Sequence, residues 1–312
     1  MLGFSFYQIK FWEKICRKIF LYHCYVKDYT AMQRFTWKCP KMVNINTRQI
    51  ALVAIFAALF FALSLAPIKI PTTVGLISIS FSALIATIFG LVLGPYLGAA
   101  AALLGSTVTW ALMGMSPYDL PFIIAPMFNA LVSGLIFYKK WKWGFGVFAV
   151  FIVAFLFTPP VTPLTGQSTI AGVLIDNWYI AIAVLFDKIA ALLLILPLTF
   201  LGKKLSFGYG AVFFFLVAFI GNQADNMYGT FVFSWPAVYN GIFGMPLEIV
   251  QLSFLASPFL YPAIRLIQAF IAMLIAVPLI KALNGTPWLW KKENILSKDQ
   301  PEKANVVKTT SS

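Results

Sequence analysis

An all-α membrane protein with a bundle of about eight transmembrane helices and both termini in the cytoplasm is the fold this sequence predicts. Three observations carry it: an excess of apolar residues, their grouping into runs long enough to cross a bilayer, and a one-sided distribution of Lys and Arg. Of 312 residues, 61% are hydrophobic and 11% charged, and the mean hydropathy is +0.87. A soluble domain of this length could not bury that much apolar surface, so lipid must be part of its solvent. The net charge of +13 does not point to nucleic acid, because the basic residues lie in tails and short loops between apolar runs.

Residues 1–41 form a basic, aromatic extension with eight Lys and Arg and no uninterrupted apolar run, so neither a secretory signal nor a spanning helix is expected there. Trp12, Ile15, Ile19 and Tyr22 share one helical face while Lys10, Lys14, Arg17 and Lys18 share another, the pattern of a helix lying on an anionic membrane surface. The alternative is a misplaced start, since Met42 directly precedes the first strong span. Cys16, Cys24, Cys39 and His23 all fall in this extension without ligand spacing, so no disulfide frame, metal site or cofactor is predicted.

The transmembrane bundle, residues 42–284, contains eight apolar segments, at about 49–66, 74–93, 95–114, 120–138, 144–159, 177–201, 208–223 and 260–283. With the amino end inside, the inner loops and tails hold 12 of the 15 basic residues after position 41, leaving Lys69 outside and Lys188 and Arg265 within helices. Asp119, Asp176, Asp225 and Glu248 fall outside, and an even number of spans gives this division. The outer stretch 224–259, with Phe231, Phe233, Trp235, Tyr239, Phe243 and Phe254 among Gly and Pro, is expected to form a re-entrant or surface-lying cap; the alternative is an interfacial aromatic belt without a ligand role. Residues 285–312 are Lys-, Asp- and Ser-rich and read as a disordered cytoplasmic tail.

No phosphate-binding loop, His-Glu-x-x-His or Gly-x-Ser-x-Gly occurs in the sequence, so ATP hydrolysis by this chain and an enzymatic role are both disfavoured. The polar residues placed within apolar spans are the candidates for ligand recognition, because an unpaired charge at the bilayer centre costs at least about 2.5 kcal/mol. They are Asp187 and Lys188 in the sixth span, Asn129 in the fourth, Arg265 and Gln268 in the eighth, and Asn222, Gln223, Asp225 and Asn226 at the outer end of the seventh. Trp110 and Trp178 could add stacking walls. A purely structural role for Asp187, paired with Arg265 or Lys188, is the alternative.

In the first span Ala54, Ala58 and Ala62 recur every four residues, a spacing that lets another helix approach closely, either a partner's or one of the same bundle. The outer loop Pro67-Ile68-Lys69-Ile70-Pro71 follows, and then the turn Gly90-Leu91-Val92-Leu93-Gly94-Pro95-Tyr96-Leu97-Gly98. Taken together, these features over residues 46–140 resemble the S components of energy-coupling factor (ECF) transporters. That resemblance implies a substrate-binding integral membrane subunit for a vitamin or related micronutrient. It implies partners too: a transmembrane T component, docked on Ala54, Ala58 and Ala62, and two ATPase subunits that supply the energy. The family usually has six helices, against the eight read here.

Two rival readings differ in what drives or replaces transport. A self-contained secondary transporter would use Asp187 for ion coupling and survive ATP depletion. A membrane-embedded enzyme would require an acid or base pair at one interface, for which Asp225 and Glu248 are the nearby acids.

Overall fold

The computed structural model describes residues 47–65, 68–72, 75–79, 81–204 and 210–283, with residues 286 and 289. All belong to one compact unit, residues 45–312. The extension 1–41 lies outside the described residues, as does the tail from 285 onward but for those two positions.

Among the described residues, eight helices of 13 residues or more follow the apolar segments in order: α1 (Thr47–Ser64), α2 (Phe81–Leu93), α3 (Pro95–Leu112), α4 (Ala125–Phe137), α5 (Trp141–Phe155), α6 (Asn177–Lys204), α7 (Ala211–Phe233) and, after a short α8 (Pro236–Tyr239), α9 (Leu247–Leu283). Four stretches are long and apolar enough to cross a membrane: Pro95–Leu112, Leu120–Phe137, Asn177–Thr199 and Tyr261–Leu283. The chain is thus a multi-pass helical membrane protein.

Several boundaries depart from those the sequence predicts. The second segment was expected from residue 74, yet Gly75–Ile79 forms strand β2, paired antiparallel with β1 (Ile68–Thr72), and the helix begins only at Phe81. The β-branched Ile77 and Ile79 and the Pro71 between Ile70 and Thr72 favour extended backbone over a helical turn. The fifth helix ends at Phe155 rather than near 159, ahead of Pro159 and Pro160, whose missing N–H groups cannot continue it.

The largest departure concerns the outer cap expected at 224–259. Helix α7 runs on to Phe233 and α9 starts at Leu247, so only residues 234–246 with α8 remain between them. The sequence reading stopped the seventh span at its polar residues, but these are buried against other helices, where a polar side chain does not end a helix. It also delayed the last span past Pro258 and Pro262, both of which sit inside α9. At 37 residues α9 is longer than the roughly 20 residues a span needs, and its stretch Tyr261–Leu283 is the part long and apolar enough to cross a membrane.

The start of α9 holds the hairpin of β3 (Gln167–Ile170) and β4 (Val173–Asp176). The hairpin turns at Ala171 and Gly172, both with positive φ, the two-residue geometry that suits a right-handed strand pair. Glu248 accepts a hydrogen bond from the Ala171 N–H at 2.7 Å, and buried Gln251 donates to the Pro160 carbonyl and the Ser168 hydroxyl, each at 2.9 Å.

Within the bundle, α7 packs on α4, α9, α6, α5 and α2, and α1 packs on α3 and α2. Glycines allow the closest approaches. A Cβ at Gly90 would collide with the Ala130 carbonyl of α4, one at Gly98 would lie 2.5 Å from the Phe89 carbonyl, and one at Gly221 would lie 2.5 Å from Asn129 Oδ1. Gly94, at φ 84°, caps α3 with Pro95 in its first turn, so the Gly-rich turn is a steric device at the crossing of α2, α3 and α4. Tyr138 donates to the Leu91 carbonyl at 2.7 Å and fastens the ends of α2 and α4 together.

Candidate functional site

The polar side chains that could recognise a ligand come from α7 and four helices around it. On one side, the Thr87 hydroxyl of α2 donates to Asn129 Oδ1 of α4 at 2.7 Å, and Asn129 Nδ2 donates to Asn222 Oδ1 of α7 at 2.8 Å. All three residues are fully buried. Every link spends one polar end of an amide, and Asn222 Nδ2 is left over without a partner.

On an adjoining face of α7, Asp187 of α6 accepts from Lys188 at 2.9 Å and from Gln223 Nε2 at 3.1 Å. Gln223 is fully buried, and its Oε1 has no partner. Toward the end of the helix, Asp225 lies 3.6 Å from Arg265 of α9, and Arg265 also donates to Gln268 Oε1 at 2.9 Å. Arg265 Nε and Asn226 Nδ2 are both buried and unpartnered.

The charges therefore cancel in two pairs, Asp187 with Lys188 and Asp225 with Arg265. Asp187 does not meet Arg265 in an ion pair, one of the alternatives the sequence left open. Four hydrogen-bonding atoms remain unspent on and beside one helix: three donors, Asn222 Nδ2, Asn226 Nδ2 and Arg265 Nε, and one acceptor, Gln223 Oε1. Leaving a buried polar atom unpaired costs about 1–3 kcal/mol, so each of them is a place where an incoming polar group would gain a partner.

Aromatic rings lie around the same stretch of α7. Tyr228 packs against Phe128 and Phe151, with centroids 4.9 and 5.5 Å away, while Phe243 of the 234–246 connection meets Tyr118, Phe122 and Phe233. The tryptophans are held elsewhere. Trp110 donates to the Ser116 carbonyl at 2.7 Å in the turn after α3, and exposed Trp178 stacks on Tyr179 while donating to Asp176. Thr87 was not foreseen: a lone Thr in an apolar helix carries no signal, since its hydroxyl can equally bond its own helix.

The alanine face is the second functional feature. Ala54, Ala58 and Ala62 are exposed, beside exposed Ile55 and Leu59, while Ala57 and Phe60 of the same helix point into the bundle. Phe60 fills the space over Gly105 of α3, where a Cβ would come within 2.7 Å of it, and both Phe56 and Phe60 pack on Phe89 of α2. The small residues thus do not serve the internal packing of α1.

A comparison with protein families matches residues 44–194 to the family described as ECF-type riboflavin transporter, S component. No curated protein and no solved structure matches the chain. The matched stretch takes in α1 to α5 and the first part of α6; α7 and α9, which carry all four unpartnered atoms, lie beyond it.

Proposed function

We propose, from the S-component identity of residues 44–194, that this chain captures a vitamin-like micronutrient from outside at the polar cluster around α7. It then passes the nutrient inward in complex with a T component and two ATPase subunits. The family match is the observation that carries the reading, and it makes the chain a transport component rather than an enzyme. The cluster supports a location: Asp187, Lys188, Asn129, Asn222, Asp225, Arg265 and Gln268, with Asn226, Gln223 and Thr87 added and Trp110 set aside. The family's name makes riboflavin the first ligand to try, a flat heteroaromatic that suits a site of amides flanked by aromatic rings.

Native mass spectrometry of gently purified protein is expected to show one bound small molecule, displaced by added riboflavin. A protein that carries none and ignores riboflavin would remove the flavin reading. Asn226→Leu separates recognition from structure. Its Nδ2 has no partner to lose, so the melting temperature is expected to hold or rise, whereas ligand affinity is expected to fall about tenfold, the worth of one buried hydrogen bond. Unchanged affinity would take Asn226 out of the site.

We further propose that all eight helices span the bilayer with both termini inside, the arrangement that puts 12 of 15 basic residues on one side. In a background lacking Cys16, Cys24 and Cys39, a cysteine at exposed Val173 is expected to react with an impermeant reagent from outside and one at exposed Lys139 is not. The reverse pattern would overturn the orientation.

A secondary transporter remains the second reading, and the buried Asp187–Lys188 pair is what favours it. It requires uptake that collapses with the ion gradient and persists without ATP.

A further inference from the structure

We infer that Asp187 is a positioning residue: it fixes the Gln223 amide so that the buried Gln223 carbonyl is offered as an acceptor, and the site thereby selects ligands whose edge carries an N–H. This rests on the flavin reading above and deepens it, since it names the chemical feature that is read and the residue that enforces it.

A glutamine is by itself ambiguous, because rotating its terminal amide exchanges a carbonyl for an NH2. Here the ambiguity is removed. Gln223 Nε2 lies 3.1 Å from Asp187 Oδ2, and a carboxylate ion only accepts, so the NH2 end must face Asp187 and the carbonyl must face away. Asp187 accepts in turn from Lys188 Nζ, 2.9 Å from its other oxygen. Gln223, Asp187 and Lys188 are all at least nine-tenths buried, so water does not compete freely for the amide. Gln223 Oε1 is left as the sole acceptor among the four unpartnered atoms. Asn226, three residues on and so about one turn along the same helix, offers a donor beside it, whereas Asn222, next to Gln223 in sequence, faces Asn129. A molecule with an N–H flanked by acceptors satisfies such a set, and one in which that hydrogen is replaced by methyl leaves the carbonyl unpaired. Sites built to hydrogen-bond a specific group reject analogues lacking it far more strongly than apolar pockets reject a methylene.

The probes are riboflavin, whose ring carries one N–H between two carbonyls, and its N3-methyl derivative, each titrated into purified protein by flavin fluorescence. Wild type is expected to prefer riboflavin by at least about thirtyfold. Gln223→Met, of similar shape but unable to accept, is expected to bind both within about threefold of each other. Asp187→Asn with Lys188→Met removes the charges together and lets the Gln223 amide rotate, and it too is expected to lose the preference. If that double variant does not fold, Asp187→Glu replaces it, and there retention of the preference is the expected result.

Equal binding of the two flavins to wild type overturns the inference, and so does a preference that survives Gln223→Met. A double variant that discriminates as wild type does, or an Asp187→Glu that does not, removes the positioning role. Failure of wild type to bind either flavin is a different result, which overturns the flavin reading and takes this inference with it.

Discussion

Ala58→Trp is expected to abolish uptake by cells while leaving the purified protein folded and its ligand affinity within about twofold of wild type. The position is exposed, as are Ala54 and Ala62 one turn to either side, so an indole there meets lipid or detergent and displaces nothing within the bundle. Between two helices in a membrane the situation is the opposite. Lipid offers no hydrophobic gain on association, so attraction depends on backbones coming close over small side chains, and a tryptophan holds them several ångströms apart. The neighbouring Ala57→Trp serves as the contrast. Ala57 is turned into the bundle, and the same indole there is expected to unfold the protein rather than uncouple it. Uptake at the wild-type rate in Ala58→Trp would mean that no partner docks on this face, and the secondary transporter would then become the better reading.

How far the sequence reached depended on which signal each element left. Hydropathy located the helices, since each of the eight apolar segments overlaps a helix among the described residues, and four stretches are long and apolar enough to cross a membrane. It misplaced boundaries where polarity or proline sits inside a helix surrounded by protein. Asn222, Gln223 and Asp225 look like the end of a span until α4, α6 and α9 are placed around them, and Pro258 and Pro262 look like breakers although α9 continues through both. The polar residues themselves could be picked out because charge in an apolar run is expensive. Their pairing could not. Nothing in spacing tells whether Asp187 meets the adjacent Lys188 or the distant Arg265, and the tertiary contact of Gln223 with Asp187 bridges 36 positions. Trp110 was expected as a stacking wall, and spacing gave no sign that its Nε1 donates to the Ser116 carbonyl of the following turn.

Gly90→Ala is expected to destabilise the protein by about 3 kcal/mol, at the upper end of what a single added methyl does in a tightly packed interior. The new Cβ would run into the Ala130 carbonyl and come within 2.7 Å of Ser133 Oγ. The first of these is backbone in the middle of α4 and cannot swing aside, so α2 and α4 must separate. Separation reaches the proposed ligand site directly, because Thr87 lies one turn before Gly90 on α2 and Asn129 adjoins Ala130 on α4, and these two residues share the hydrogen bond that begins the chain to Asn222. Gly90→Ala is therefore expected to lose ligand affinity along with thermal stability. Gly146→Ala, with nothing within 4 Å of its Cβ, measures what the substitution does to a helix alone and is expected to stabilise by up to about 1 kcal/mol. A Gly90→Ala variant that melts with Gly146→Ala would show that the two helices do not pack at this distance. A variant that melts early yet binds with full affinity would show that the Thr87–Asn129 link has no part in recognition.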